Sequence, residues 1–177
     1  MALVLLPGLN NLIEDISEEK KLPAQVVEAA LREALLKGYE RYRRTLYLGI
    51  SEDPFEEEYF SNFDVGLDLD EEGYRVLASK IIVEEIESED HQIALSEVRQ
   101  VAEDAQIGDT VVLDVTPEKE DFGRMAAATT KQVLAQKLRD QQRRMIQEEF
   151  ADLEDPVLTA RVIRFERQSI IMAVSSG

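Results

Sequence analysis

Between residues 37 and 47, aromatic rings and cations interleave: Lys37, Tyr39, Arg41, Tyr42, Arg43, Arg44 and Tyr47. Rings of this kind stack on bases and cations neutralise phosphates, so the mixture could hold single-stranded RNA. Core tyrosines beside a basic helix end account for the same residues equally well, because cations suit the negative end of a helix dipole. Other chemistry is scarce. The chain has no cysteine, which removes disulfides, thiolate metal sites and a cysteine nucleophile. Its one histidine, His91, sits in the polar stretch SEDHQ and reads as exposed and idle, since catalytic and metal-binding imidazoles need partners nearby. Glu56-Glu57-Glu58 and Glu84-Glu85 could meet a hard cation, but without calcium-loop spacing they read as solvated surface. The eight glycines are scattered and build no phosphate cradle. No nucleophile–base–acid set emerges, and no enzyme activity, metal or cofactor is expected.

Charge divides the 177 residues into three parts. Residues 1–51 hold seven acids and seven bases, and residues 122–177 hold seven acids and nine bases. Residues 52–121 hold 23 acids against four bases (Arg75, Lys80, Arg99 and Lys119), a net of -19, which exceeds the formal net charge of -17 for the whole chain. Bulk attraction to nucleic acid is therefore excluded, and any such contact needs a local basic patch outside the middle third. The acidic middle either keeps a surface solvated or meets a basic partner. The opening MALVLLPGL reads as neither a signal peptide nor a membrane span, and the absence of cysteine suits a reducing cytoplasm.

The elements that must position these residues follow from apolar periodicity. Asn10–Lys20 predicts a short helix with Leu9, Leu12, Ile13 and Ile16 along one side. Leu22-Pro23 breaks and restarts the chain, and a second helix runs to about Tyr42 over Val26, Val27, Ala30, Leu31, Ala34 and Leu35. Ser51–Ser61 is acidic, contains Pro54 and reads as an exposed loop. The period then changes to two: Phe63, Val65, Leu67 and Leu69 form a strand, Asp70 to Gly73 a turn, and Tyr74, Val76 and Ala78 start the return strand. Ala94–Ala105 reads as a helix and Thr110–Val115 as a compact strand. Phe122–Leu153 predicts a helix of about 30 residues and roughly 45 Å, with Leu134, Leu138, Met145, Ile146, Phe150 and Leu153 at helical spacings. Gln141 and Gln142 interrupt a strict heptad there. Val157–Phe165 and Ser169–Val174 are two final strands.

This order predicts an α+β fold, with helices on one face of a small sheet. Residues 1–121 form the first domain, 122–155 a long body or linker helix, and 156–177 a hairpin. A two-stranded hairpin is marginal alone in water, so it is expected either to lean on the rest or to begin a larger β domain.

Three stretches carry a resemblance to a known family. They are Leu22-Pro23 followed by EAALREALLKGYERY, then HQIALSEVRQVAEDAQIGDTVVLDV, and, most specifically, FGRMAAATTKQVLAQKLRDQQRRMIQEEF. Together they resemble the N-terminal region of the NusA family of bacterial transcription elongation and termination factors, over essentially the whole chain. The resemblance implies a helical body with a small α/β head, then an OB-type RNA-binding barrel of which 156–177 would be the first hairpin. It implies a non-enzymatic, monomeric, cytoplasmic module that binds RNA polymerase at the flap of the beta subunit beside the RNA exit channel. The C-terminal domain of the alpha subunit is a further candidate contact. Pausing, termination and antitermination are the processes it would modulate. Lys37, Arg41, Arg43 and Arg44 would face a nascent RNA hairpin. Leu9, Leu12, Ile13, Ile16 and Val27 are candidates for the groove that takes the flap tip, or are ordinary core. The acidic loop Asp53–Tyr59 departs from the family and takes no role from it. A stand-alone RNA-binding or ribosome-associated protein is the alternative.

Overall fold

The computed structural model describes residues 3–46, 55–56, 58–118, 120–151, 159–167 and 169–174. Its elements run β1 (Val4–Leu5), α1 (Leu9–Lys20), α2 (Ala24–Thr45), β2 (Phe63–Asp68), β3 (Gly73–Val83), β4 (Gln92–Ala94), α3 (Leu95–Val98), β5 (Thr110–Asp114), α4 (Glu120–Ala151), β6 (Ala160–Glu166) and β7 (Ser169–Val174). The fold is α+β. Two compact units divide the chain, Met1–Gln142 and Arg143–Gly177, and the boundary falls inside α4.

In the first unit α1 and α2 form a helical hairpin. Lys21 takes a left-handed conformation, φ 53°, and its N–H bonds back to the carbonyl of Glu18, which closes α1. Ser17 Oγ donates to the carbonyl of Leu22 at 2.6 Å, and Pro23, with φ -57°, leads into α2. The buried residues of α2 step by three and one: Val27, Ala30, Leu31, Ala34, Leu35, Gly38, Tyr39 and Tyr42. That stripe faces the sheet.

β3 is the spine of a five-stranded sheet. β2 pairs antiparallel along Gly73–Ala78, and β4 pairs parallel along Ile81–Val83 on the same edge. β1 and β5 occupy the other edge, at Gly73–Tyr74 and Leu77–Ile81. The turn between β2 and β3 is closed by Glu72 at φ 48°. Gly73 is required where β1 crosses: a Cβ there would lie 2.9 Å from both the Leu3 side chain and the Val4 carbonyl oxygen. Alternation along β3 buries Tyr74, Val76, Ala78 and Ile82. Tyr74, Val76 and Ala78 join Phe63, Val65 and the α2 stripe in one core.

Three expectations change. The helix expected over Ala94–Ala105 is only the four residues of α3, followed by turns that leave Val101 93% exposed. Gln92–Ala94 is instead drawn into the sheet as a parallel strand, and only Val98 from that apolar stripe reaches a buried position. The acidic loop is not simply exposed, because Phe55 and Phe60 are buried and pack on one another at 5.0 Å; its residues 51–54 and 57 lie outside the described residues. The long helix does not bury one continuous apolar face. Phe122, Thr130, Leu134 and Leu138 are buried, whereas Met145 and Ile146 are 40% and 53% exposed. Leu153 lies outside the described residues.

The second unit holds the β6–β7 antiparallel hairpin, with an irregularity between Val162 and Arg164. Every residue of β6 is exposed, Phe165 to 76%. Among the described residues no helix is long and apolar enough to cross a membrane.

Candidate functional site

The four expected basic residues separate into different environments. Arg41 is exposed and makes no ion pair with a described residue. Lys37 is also exposed and holds Glu40 one turn on, at 2.8 and 2.9 Å to the two carboxylate oxygens. Arg44 lies over the rings of Phe55 and Phe60 at 5.8 and 5.7 Å and donates to the Phe55 carbonyl. Arg43 is engaged internally. Its guanidinium meets both carboxylate oxygens of Asp90, at 3.2 and 2.7 Å, and donates to Tyr39 Oη at 2.9 Å.

This fork closes a network between α2 and the segment before β4. Tyr59 Oη donates to Asp90 at 2.6 Å, and Asn62 Nδ2 donates to the Asp90 carbonyl at 2.9 Å. Burial alone would raise the Asp90 carboxyl; the hydrogen bonds from Arg43 and Tyr59 outweigh it and hold the group below its ordinary value. Burial first, then the carboxylate beside it, pushes the Tyr59 phenol up to about 12, so it stays a donor. Burial opposes the charge on Arg43, but its bonds to Asp90 and Tyr39 raise it above the usual value.

His91 is not idle. Its two ring nitrogens lie 2.9 Å from Ser88 Oγ and from the Tyr59 carbonyl, and its ring meets that of Tyr59 edge-on at 4.7 Å. The carbonyl can only accept, so Nε2 carries the proton in this arrangement and Nδ1 is free to accept from Ser88. Histidine here braces the loop that presents Asp90.

The apolar candidates also separate. Leu9, Ile13 and Val27 are core, at 1%, 5% and 1% exposure, and Ile16 is half-buried against them. Leu12 is 44% exposed. It belongs to a shallow groove of about 400 Å³ lined by Leu6, Pro7, Gly8, Leu9, Asn11, Leu12 and Asp15. The β2–β3 turn positions this groove. The Gly8 N–H donates to Glu72 Oε2 at 2.9 Å, the Leu6 N–H to the Glu72 carbonyl at 2.7 Å, and Asn10 Nδ2 to the Leu69 carbonyl at 2.9 Å.

Sequence reasoning missed Asp90, Tyr59 and Leu6. Asp90 lies 47 residues from Arg43, and no local pattern marks such a pair. Leu6 had a signal, because Pro7-Gly8 is a turn dipeptide at a helix start.

A helical body under a small sheet, with the Arg43–Asp90 pair spent on internal bonds and a groove beside its first helix, defines an α+β domain. The chain belongs to the NusA N-terminal domain family, whose model matches residues 8–144. It is 30% identical over 159 residues to the transcription termination/antitermination protein NusA of Bacillus subtilis (strain 168), covering 90% of this chain and 38% of that protein. The protein of the same name from Thermus thermophilus is 27% identical over 166 residues, 93% of this chain and 41% of that one. The chain thus spans about two fifths of the curated relatives it matches. The solution structure of the N-terminal domain of NusA from B. subtilis superposes with a TM-score of 0.52 at 28% identity, over 76% of this chain and 96% of that one.

Proposed function

We propose that this chain is a non-enzymatic transcription factor module that acts in the cytoplasm as a monomer. It binds bacterial RNA polymerase near the flap tip and the RNA exit channel, and it modulates pausing, termination and antitermination. Family membership supports the general role, since the relatives are named as termination and antitermination proteins. The observation that carries the docking mode is the groove around Leu12. An amphipathic helix binds by laying apolar residues into such a groove, and Leu12 is a large apolar side chain with no structural need to be exposed. Leu9 lines the same groove, whereas Ile13 and Val27 belong to the core. Leu12→Asp should weaken polymerase binding at least tenfold in a pull-down or by interferometry. Its urea midpoint should stay within error, because the residue is 44% exposed. Unchanged binding would remove the groove from the reading.

The RNA-facing role then rests on Arg41 and Lys37, with Arg44 at the margin and Arg43 holding the fold. Lys37→Glu with Arg41→Glu should shorten dwell at a hairpin-stabilised pause and leave thermal unfolding nearly unchanged. Full dwell times with the double variant would mean that the helix end does not meet RNA. The β6–β7 hairpin corresponds, in this reading, to the opening strands of an OB-type barrel, whose apolar faces are otherwise unaccounted for.

A further inference from the structure

The sheet of the first unit has a second face, turned away from the helical body. Register defines it: Arg75, Leu77, Ser79, Ile81 and Val83 from β3, Thr110, Val112 and Asp114 from β5, Gln92 and Ala94 from β4, and Asp64 and Asp68 from β2. Val112 is opposite Ser79 and diagonal to both Leu77 and Ile81, so these apolar side chains form one cluster rather than scattered points. Val112 is 62% exposed and Ile81 49%. The cluster is distinct from the Leu12 groove: Ile81 lies eight residues along β3 from Gly73, about 26 Å of strand.

Charge identifies the occupant. From Phe63 to Asp114 there are fifteen acids and three bases, Arg75, Lys80 and Arg99. Arg75 is 3.6 Å from Asp68, and the Lys80 ammonium donates to the Glu89 carbonyl. Asp114 on this face is turned to Thr116, from whose N–H and hydroxyl it accepts, so the open carboxylates are those of Asp64 and of Glu84 and Glu85, which follow β3 directly. A second copy of this chain would bring the same excess of negative charge to the contact and be repelled. We propose that this face docks a basic, amphipathic segment of a partner protein, its apolar residues over Val112 and Ile81 and its lysines or arginines toward the surrounding carboxylates.

The test uses the full chain and an 18-residue synthetic peptide with leucines on one helical face and lysines on the other, followed by backbone amide shifts. A control peptide keeps the lysines and replaces the leucines with serine. Saturable shifts should centre on Leu77–Val83 and Thr110–Asp114, and the control should bind at least tenfold more weakly. Val112→Asp adds a negative charge yet should weaken binding at least fivefold; attraction by charge alone requires the opposite sign. Ile81→Asp, on a different strand, should behave alike, and retained amide dispersion reports that each variant is folded. Tighter binding by Val112→Asp, equal shifts with both peptides, or no binding would overturn the proposal. Concentration-dependent self-association through the same residues without peptide would replace it with a contact between copies.

Discussion

Phe122→Ala should be the most destabilising single truncation at the start of the long helix, costing about 3–5 kcal/mol. Phe122 is fully buried, and its ring touches three others: Tyr42 at 5.1 Å, Tyr39 at 6.0 Å and Tyr74 at 6.2 Å. Those tyrosines come from α2 and β3, so one side chain joins helix hairpin, sheet and α4. Removing it leaves a cavity between elements that are pinned elsewhere and cannot collapse into it. Aromatic contacts of this geometry add about 0.5–1.5 kcal/mol each beyond area burial. The chain has no tryptophan, and all five tyrosines fall within the first unit, so tyrosine fluorescence in urea reads that unit alone. Met145→Ala, 40% exposed in the same helix, should shift the midpoint little. Equal effects from the two would contradict the picture of a helix anchored by its first half.

The second large effect is expected at Arg43. Arg43→Ala leaves Asp90 and Tyr39 without their shared partner in a site where the two charged side chains are only 17% and 23% exposed. The cost should be about 2–3 kcal/mol, near the lower end for breaking a buried pair, because some water reaches it. Arg41→Ala, two residues away and exposed, should cost under about 0.5 kcal/mol. The sign of the pH dependence follows from the carboxylate. Asp90 is held below its unfolded value, so its contribution is present above about pH 4 and is lost as pH falls through the lowered folded value. Asp90→Asn should therefore be less stable than the parent chain at neutral pH, and the gap should narrow on acidification. A gap constant with pH would mean that the pair's charge contributes nothing to folding.

The two effects also separate binding from stability in the basic cluster. Reversing Arg41, Arg43 and Arg44 together would confound them, since Arg43 holds the segment before β4 against α2. A loss of pausing in such a triple variant could be read as lost RNA contact when the domain had come apart.

Elements whose apolar period runs over many residues were legible in the chain. α1, α2, the β2–β3 hairpin and α4 lie within a few residues of their expected bounds, because a stripe at 3.6 or 2 residues has one way to be buried. The segment 92–105 was not legible. Its Leu, Val and Ala spacing suits a helix, but Gln92–Ala94 gains a parallel partner in β3, and local propensity is the weaker term once such a pairing is available. β1 has two residues and is defined only by Tyr74 and Gly73 across from it.

By itself the sequence determined the α+β class, the acidic middle, the long helix and the family, since composition, period and family wording are all properties of neighbours along the chain. Which cation of the basic cluster faces solvent, which apolar residue of α1 opens a groove, and that His91 braces a loop were decided only by tertiary structure. Each depends on a partner tens of residues away: Asp90 for Arg43, Glu72 for the groove at Gly8, and the Tyr59 carbonyl for His91. Burial and pairing are set by what folds onto a side chain, and a linear pattern carries no record of that.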